Sequence, residues 1–557
     1  MDMVKSNNIL SIQNLKVVYK DSFDYTALKN FTIDVYENDA LGIVGESGSG
    51  KTTVAMSILR LIDEIALTDG DIIYNEKFVR KFSDKEITSY RGLQIGFCPQ
   101  NSLEALNPLM KIGDQISEGM RVHLGYSDYK LIEELDKLCA LVGLSTEYIE
   151  AYPHQLSGGL RQKALLAISL SCNPKILIVD EPTSSLDVDS KEEILNLLKN
   201  LRQTRKMTLI VISHDMEIIR RLCNRCAVLY QGELVEIGEI EKIIDYPEHP
   251  YTRGLLSSSI EVNPYQDLWG IPGEMGLHDL KGCSFYSRCT QSISICKDIK
   301  PRLENISKDR KVACNRGGII KVLSARGLSK RYKIGKKYID ACIDADIDLR
   351  AGEIISIVGK SGSGKTTLVS MICGVLEKDQ GEVQIFDELI KCQKMHRCFH
   401  GLQMVFQDPY SSINHEFDVE KAVTEPLLIN KLCTKEEAKI SAKKALLDVG
   451  LSSEDCFLSS RITSLSGGQR QRIAIARAMV MKPKILIADE ISSMLDPSSK
   501  ANILRLMKKL QNQNGFSMIY VTHDLHLARK ISNRTYEVNE GRVIEKNICF
   551  LKTTVIK

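Results

Sequence analysis

The sequence has no excess of charge of one sign: 74 Lys and Arg face 71 Asp and Glu over 557 residues, a net charge of +3. That balance gives no electrostatic argument for nucleic acid or for an anionic membrane surface as a partner. Long hydrophobic runs are missing too. Stretches such as "ILIV" at 176–179 fall far short of the ~20 apolar residues needed to span a bilayer. The opening "MDMVKSNNILSIQNLKVVYK" lacks the basic, apolar and small-residue regions of a secretory leader. The cysteine-bearing stretch at 282–314 contains no tight C-x2-C pair, the usual mark of a structural zinc site. Any membrane role is therefore expected to run through partners, and the sixteen cysteines are expected to be reduced thiols or metal ligands in the cytoplasm.

What is present is an ordinary folded composition, 43% hydrophobic and 26% charged. At a soft prior of ~150 residues per domain, the length suggests three or four units. The chain is also written twice. "GESGSGKTT" at 45–53 returns as "GKSGSGKTT" at 359–367, and "LSGGLRQK" at 156–163 as "LSGGQRQR" at 465–472. "PKILIVDE" at 174–181 returns as "PKILIADE" at 483–490, and "ISHD" at 212–215 as "VTHD" at 521–524. Four motifs in one order at nearly constant spacing imply a duplicated domain.

Within each copy, short continuous apolar runs alternate with helical spacing, the pattern of parallel strands covered on both faces. An α/β core with a mostly parallel sheet is expected in each copy, with a helical subdomain inserted at about 103–165. The organisation expected is a first nucleotide-binding domain at 1–245, a small Cys-containing extension at 246–318, and a second nucleotide-binding domain at 319–557.

Gly45-x4-Gly50-Lys51-Thr52 and Gly359-x4-Gly364-Lys365-Thr366 fit the phosphate-binding loop. Triphosphate oxygens need many donors at short range. Glycines let the backbone wrap closely, and the helix that follows offers free N–H groups. The candidate cradle runs through Gly45, Ser47, Gly48, Ser49, Gly50, Lys51, Thr52 and Thr53. Its counterpart is Gly359, Ser361, Gly362, Ser363, Gly364, Lys365, Thr366 and Thr367. The lysines reach for the outer phosphates and Thr52 and Thr366 for magnesium. One such match alone is often a glycine-rich turn with a stray lysine; two, each after an apolar strand, are not.

Asp180 and Asp489 end apolar strands, where a carboxylate can hold magnesium, and Glu181 and Glu490 follow as candidates to polarise the attacking water. Met singly, such an acidic pair is often a solvated loop. His214, His523, Gln100 and Gln407 also follow apolar strands. Each is weak alone and gains weight from order and repetition; the glutamines could reach the metal or water through their amides. Ser157-Gly158-Gly159 and Ser466-Gly467-Gly468 each open an apolar helix, a second anion-ready terminus per copy. A domain with one phosphate loop needs no second for the same nucleotide, so each is expected to face the nucleotide held by the other copy.

At these residues the sequence resembles the ABC-type ATPase family over essentially both repeats. The resemblance implies a P-loop fold and two ATP–Mg2+ sites in a head-to-tail pairing of the two domains. One site would combine Lys51, Thr52, Gln100, Asp180, Glu181 and His214 with Ser466, Gly467 and Gly468. The other would combine Lys365, Thr366, Gln407, Asp489, Glu490 and His523 with Ser157, Gly158 and Gly159. It further implies that Tyr19 and Tyr332 stack on adenine. Departures are mild: Leu160 stands in the first signature where the second has Gln469, and "EPTSSLD" (181–187) becomes "EISSMLD" (490–496).

His249-Pro250-Tyr251-Thr252 and the cysteines after it resemble the tail of ATPases serving bacterial peptide importers. Cys283, Cys289, Cys296 and Cys314 are spaced C-x5-C, C-x6-C and C-x17-C. By residue type alone they fit an iron–sulfur cluster, zinc, or no metal. The family tail is associated with a [4Fe–4S] cluster, which becomes the expectation, with zinc behind it. No equivalent tail follows the second copy, so two different subunits are expected to be fused.

The resemblance implies an ATPase of an ABC importer on the cytoplasmic face of the membrane. Its partners would be two integral membrane permeases and an extracytoplasmic solute-binding protein. Peptides or peptide-like solutes are the expected cargo, and glutathione, nickel and metal chelates belong to the same branch. The alternative is a soluble tandem ABC ATPase acting on ribosomes, but the charged helical linker of that class is not found. A zinc-bearing DNA-repair ATPase would be much longer and would need C-x2-C pairs at its zinc site.

Overall fold

The computed structural model describes residues 8–20, 24–62, 66–184, 186–259, 270–271, 273, 281–390, 401–491, 493 and 495–546. Part of the 246–318 extension thus lies outside the described residues. The chain divides into two units: the first built from residues up to Gly318, the second from Ile319 onward together with Arg288–Ser292.

In the first unit the strands are β1 (Asn8–Lys20), β2 (Asp24–Tyr36), β3 (Ala40–Val44), β4 (Ala66–Tyr74), β5 (Lys77–Phe78), β6 (Ile95–Cys98), β7 (Ile176–Asp180), β8 (Thr208–Ser213), β9 (Arg225–Tyr230), β10 (Glu233–Glu239), β11 (Leu303–Ser307) and β12 (Arg310–Ala313). They form an antiparallel sheet, β2-β1-β4-β5, and a larger sheet ordered β11-β12-β10-β9-β3-β8-β7-β6. From β6 to β9 the pairs are parallel. Every residue of β3, β7 and β8 is buried, which is why these strands read as continuous apolar runs rather than alternating ones.

The second unit repeats the plan with β13 (Lys321–Ile334), β14 (Lys337–Arg350), β15 (Ile354–Val358), β16 (Gln380–Ile385), β17 (Glu388–Leu389), β18 (Leu402–Val405), β19 (Ile485–Asp489), β20 (Ser517–Thr522), β21 (Arg534–Asn539) and β22 (Arg542–Lys546). Its sheets are β14-β13-β16-β17 and β18-β19-β20-β15-β21-β22. The two large sheets match strand for strand, except that the first carries β12 and β11 beyond β10. That hairpin comes from the extension: Glu236 pairs with Val312 and Ile237 with Lys311.

A helical layer is inserted between β6 and β7, with helices Ile112–Gly119, Asp128–Val142 and Gly158–Leu170 packed together. Its counterpart between β18 and β19 holds Val419–Ile429, Lys435–Asp448 and Gly467–Met479. Each copy is thus a mostly parallel sheet with an inserted helical layer.

Candidate functional site

The site residues gather at the C-terminal ends of the parallel strands, where open α/β sheets present their loops. The phosphate loop of the first copy leaves β3 at Gly45 and enters helix Lys51–Ile58. Gly50 sits at φ 99°, and a Cβ there would lie 2.5 Å from the Ala27 carbonyl oxygen. Gly364 repeats this conformation at φ 107°. Only glycine fits a left-handed turn pressed against backbone.

Lys51 is buried and folded back on its own loop, its Nζ donating to the carbonyls of Gly45 (2.8 Å) and Glu46 (3.0 Å). Lys365 does the same toward Gly359 (2.9 Å) and Lys360 (3.0 Å). Burial lowers the Lys51 pKa, opposed by the charges of Glu181 and Asp180.

Thr52 Oγ1 donates to Asp180 Oδ2 at 2.8 Å, and Thr366 makes the same bond to Asp489. Burial raises both aspartate pKa values, and the neighbouring Glu181 and Glu490 charges push the same way. Asp180 Oδ1, Asp489 Oδ1, Ser49 Oγ and Ser363 Oγ are buried with no hydrogen-bond partner. Native proteins rarely leave such oxygens unsatisfied. A carboxylate oxygen and a serine hydroxyl orphaned at each phosphate loop are the donor set that Mg2+ and a phosphate would complete, so the residues fit ATP–Mg2+.

Glu181 and Glu490 stand at φ 48° and 45°, a left-handed conformation uncommon outside glycine and, in two copies, a feature of the site rather than an accident. The backbone N–H of Glu181 donates to Ile212 O (2.8 Å) and that of Glu490 to Val521 O (3.0 Å), tying each glutamate to the neighbouring strand. Their side chains are held differently. Glu181 Oε1 accepts from the His214 backbone N–H at 2.9 Å and lies 2.8 Å from His214 Nδ1. This contact raises the His214 pKa. Ser213 Oγ also donates to Glu181, at 3.3 Å. Glu490 instead lies 3.4 Å from Lys365 Nζ and accepts from Gln407 Nε2 at 3.1 Å, with His523 Nδ1 at 3.8 Å. Gln100 is exposed just after β6.

The two signature serines cap their helices. Ser157 Oγ accepts from the Leu160 N–H at 3.4 Å, and Ser466 Oγ from the Gln469 N–H at 3.2 Å. Only Gln469 can reach back, its Oε1 accepting from the Ser466 N–H at 2.9 Å to close a capping box. Tyr19 and Tyr332 are half-buried in β1 and β13. Among residues the sequence did not single out, Tyr25 OH donates to the Gly48 carbonyl in the phosphate loop at 2.9 Å. Its nearness follows from the β1–β2 pairing, which places Tyr25 opposite Tyr19.

The iron–sulfur expectation finds no support here. Among the described residues no group of three or more His, Cys, Asp or Glu is arranged to hold a metal ion. In this segment the Cys283 N–H donates to Cys296 O at 2.8 Å, and the Cys314 thiol lies 3.8 Å from Gly318 O. Wide spacings, unlike C-x2-C turns, do not by themselves force thiols together.

A family model described as ABC transporter matches residues 28–184 and 343–493, and one described as the oligopeptide/dipeptide transporter C-terminal region matches 235–296. The glutathione import ATP-binding protein GsiA of Salmonella typhimurium is 32% identical over 98% of this chain and 87% of its own length. GsiA of Escherichia coli K12 gives the same identity and coverage. A solved dimeric bacterial ABC transporter cassette aligns at 30% identity with 41% of this chain and 98% of its own, at a TM-score of 0.38. With both ATPase domains and the peptide-transporter tail matched, the chain belongs to the ABC transporter family, as a duplicated ATP-binding ATPase homologous to importer subunits.

Proposed function

We propose that this ATPase energises uptake of peptide-like solutes, glutathione among them, through two membrane permeases fed by an extracytoplasmic binding protein. One observation carries the reading: two full sets of nucleotide-site residues are joined by a peptide-transporter tail in a chain similar along 98% of its length to glutathione import proteins. No described helix is long and apolar enough to cross a membrane, which accords with a peripheral subunit on the cytoplasmic face that works through permeases.

In this reading the phosphate-loop amides with Ser49 and Ser363 bind the triphosphate. Lys51 and Lys365 exchange their loop carbonyls for phosphate oxygens. Thr52 with Asp180, and Thr366 with Asp489, would hold Mg2+, which when bound neutralises charge on the outer phosphates. Glu181 and Glu490 take a proton from water as it attacks, and His214 and His523 orient those carboxylates. Gln100 and Gln407 sense the metal or water. Tyr19 and Tyr332 stack on adenine, and Ser157-Gly158-Gly159 and Ser466-Gly467-Gly468 close over the opposite copy's nucleotide. Closure on ATP and reopening after hydrolysis would pass to the permeases.

The test is reconstitution of the chain with its two permeases in vesicles, with ATP on its own side. The expected result is ATP-dependent accumulation of glutathione or short peptides that needs the binding protein. ATP turnover indifferent to every such solute, with ribosomes recovered as the bound partner, would sink the reading.

A further inference from the structure

We propose that Tyr251 is a positioning residue for the phosphate loop of the first copy, so that the His-Pro-Tyr-Thr segment tunes nucleotide affinity at that site alone. This rests on reading the Lys51 loop as a nucleotide site.

The Glu46 N–H, second residue of the loop, donates to the Tyr251 hydroxyl at 2.8 Å, while the Glu46 carbonyl accepts from Lys51 Nζ at 3.0 Å. One peptide residue is thus gripped from both sides. The Ser49 N–H also donates to the Glu46 carbonyl, at 3.1 Å, so when Lys51 turns to phosphate oxygens the Tyr251 bond still holds the N–H side of Glu46.

Tyr251 itself is fixed. It is fully buried, its ring 4.6 Å from that of Tyr230 and 5.6 Å from that of Phe285. Its backbone N–H donates to His249 Nδ1 at 3.1 Å, which caps helix Pro250–Ser257. Burial pushes the His249 pKa down to about 3, keeping that nitrogen a neutral acceptor. The backbone N–H groups of Glu248 and His249 donate to Glu236 Oε1 and Oε2, at 3.1 and 2.9 Å. Arg310, from the extension hairpin, meets the same carboxylate at 2.5 Å. A continuous, buried, hydrogen-bonded line therefore runs from the extension to the loop that would cradle phosphate. The His-Pro-Tyr-Thr run occurs once in the sequence, and the position equivalent to Glu46 in the second loop is Lys360.

The experiment uses the full chain and mant-ATP as probe. A Lys365→Ala background reads the first site and a Lys51→Ala background the second. Tyr251→Phe keeps the ring packing and removes the hydroxyl. The expected result is about fivefold weaker binding at the first site, the worth of one ordinary hydrogen bond, with unchanged affinity at the second site. Equal affinity with and without the hydroxyl at the first site, or equal weakening at both, overturns the proposal. If the double variant Lys51→Ala/Lys365→Ala still binds mant-ATP as wild type does, the nucleotide-site reading fails, and the proposal with it.

Discussion

Thr52 and Asp180, 128 residues apart in sequence, meet through a 2.8 Å hydrogen bond that satisfies Asp180 Oδ2 and leaves Oδ1 without a partner. The pair repeats in the second copy as Thr366 and Asp489, again with Oδ1 bare. A strand end and a helix start are thereby joined, with one buried carboxylate oxygen left without a hydrogen-bond partner.

Holding that charge in a buried place carries a cost. The folded Asp180 pKa is raised by burial, so the unfolded chain ionises more readily and stability falls as pH rises through this range. Above the raised folded pKa the penalty is fully present. Asp180→Asn should therefore raise the Tm of the nucleotide-free protein while removing Mg2+-dependent hydrolysis at the first site. A lower Tm measured by calorimetry would show that the charge is not a burden.

Glu181→Gln and Glu490→Gln should each slow phosphate release at their own site by at least about a hundredfold, the usual worth of a positioned base. Nucleotide binding should survive, since neither glutamate belongs to the phosphate cradle. Single-turnover phosphate release, compared with equilibrium binding, separates the two effects. Undiminished release would remove both residues from the chemistry.

The His214 pKa is raised from its usual 6.5 by its bond to Glu181. The His214–Glu181 attraction is then fully present below about pH 6.5 and is lost as pH rises through the raised folded pKa. NMR titration of the imidazole should give a midpoint above 6.5, shifting down in Glu181→Gln. His214 is two-thirds exposed, so its effect on global stability should be small. A midpoint that ignores the glutamate would break the assignment.

Arg310→Ala strips a buried cation from a buried anion, Glu236, which is 0% exposed. Losing one partner of such a pair typically costs about 3–5 kcal/mol. Arg310 also donates to the Lys242 and Tyr246 carbonyls, so those two bonds are lost as well. Chemical denaturation should show the first unit destabilised by that order, and a shift under about 0.5 kcal/mol would mean that solvent replaces the guanidinium.

Legibility followed range. The buried strands β3, β7, β8, β15, β19 and β20 were readable because each is a continuous apolar run followed by its functional residue. The antiparallel sheets were not: Asn14 at φ 52° and the register shift between Ile12 and Leu15 break the two-residue alternation of β1. Gly327 at φ 60° sits at the matching break in β13. The β10–β12 pairing and the Tyr251–Glu46 bond join distant segments, and no local pattern announces either. The left-handed Glu181 and Glu490 are likewise invisible in composition, since glutamate is not a residue that asks for that conformation. The four thiols were not legible in this way: their wide spacings leave cluster, zinc and no metal open, and the cluster expectation came from the resemblance of the tail alone.

The hairpin borrowed by the first sheet has a practical corollary for dissecting the molecule. A truncation at Asp245 would discard β11 and β12 and strip the outer rim of β10 of its backbone partners, inviting intermolecular strand pairing. The same cut would abandon Glu236 without its guanidinium and remove Tyr251 from beneath the loop. A fragment ending after Gly318 keeps all three, so a soluble fragment of the earlier half is to be sought there.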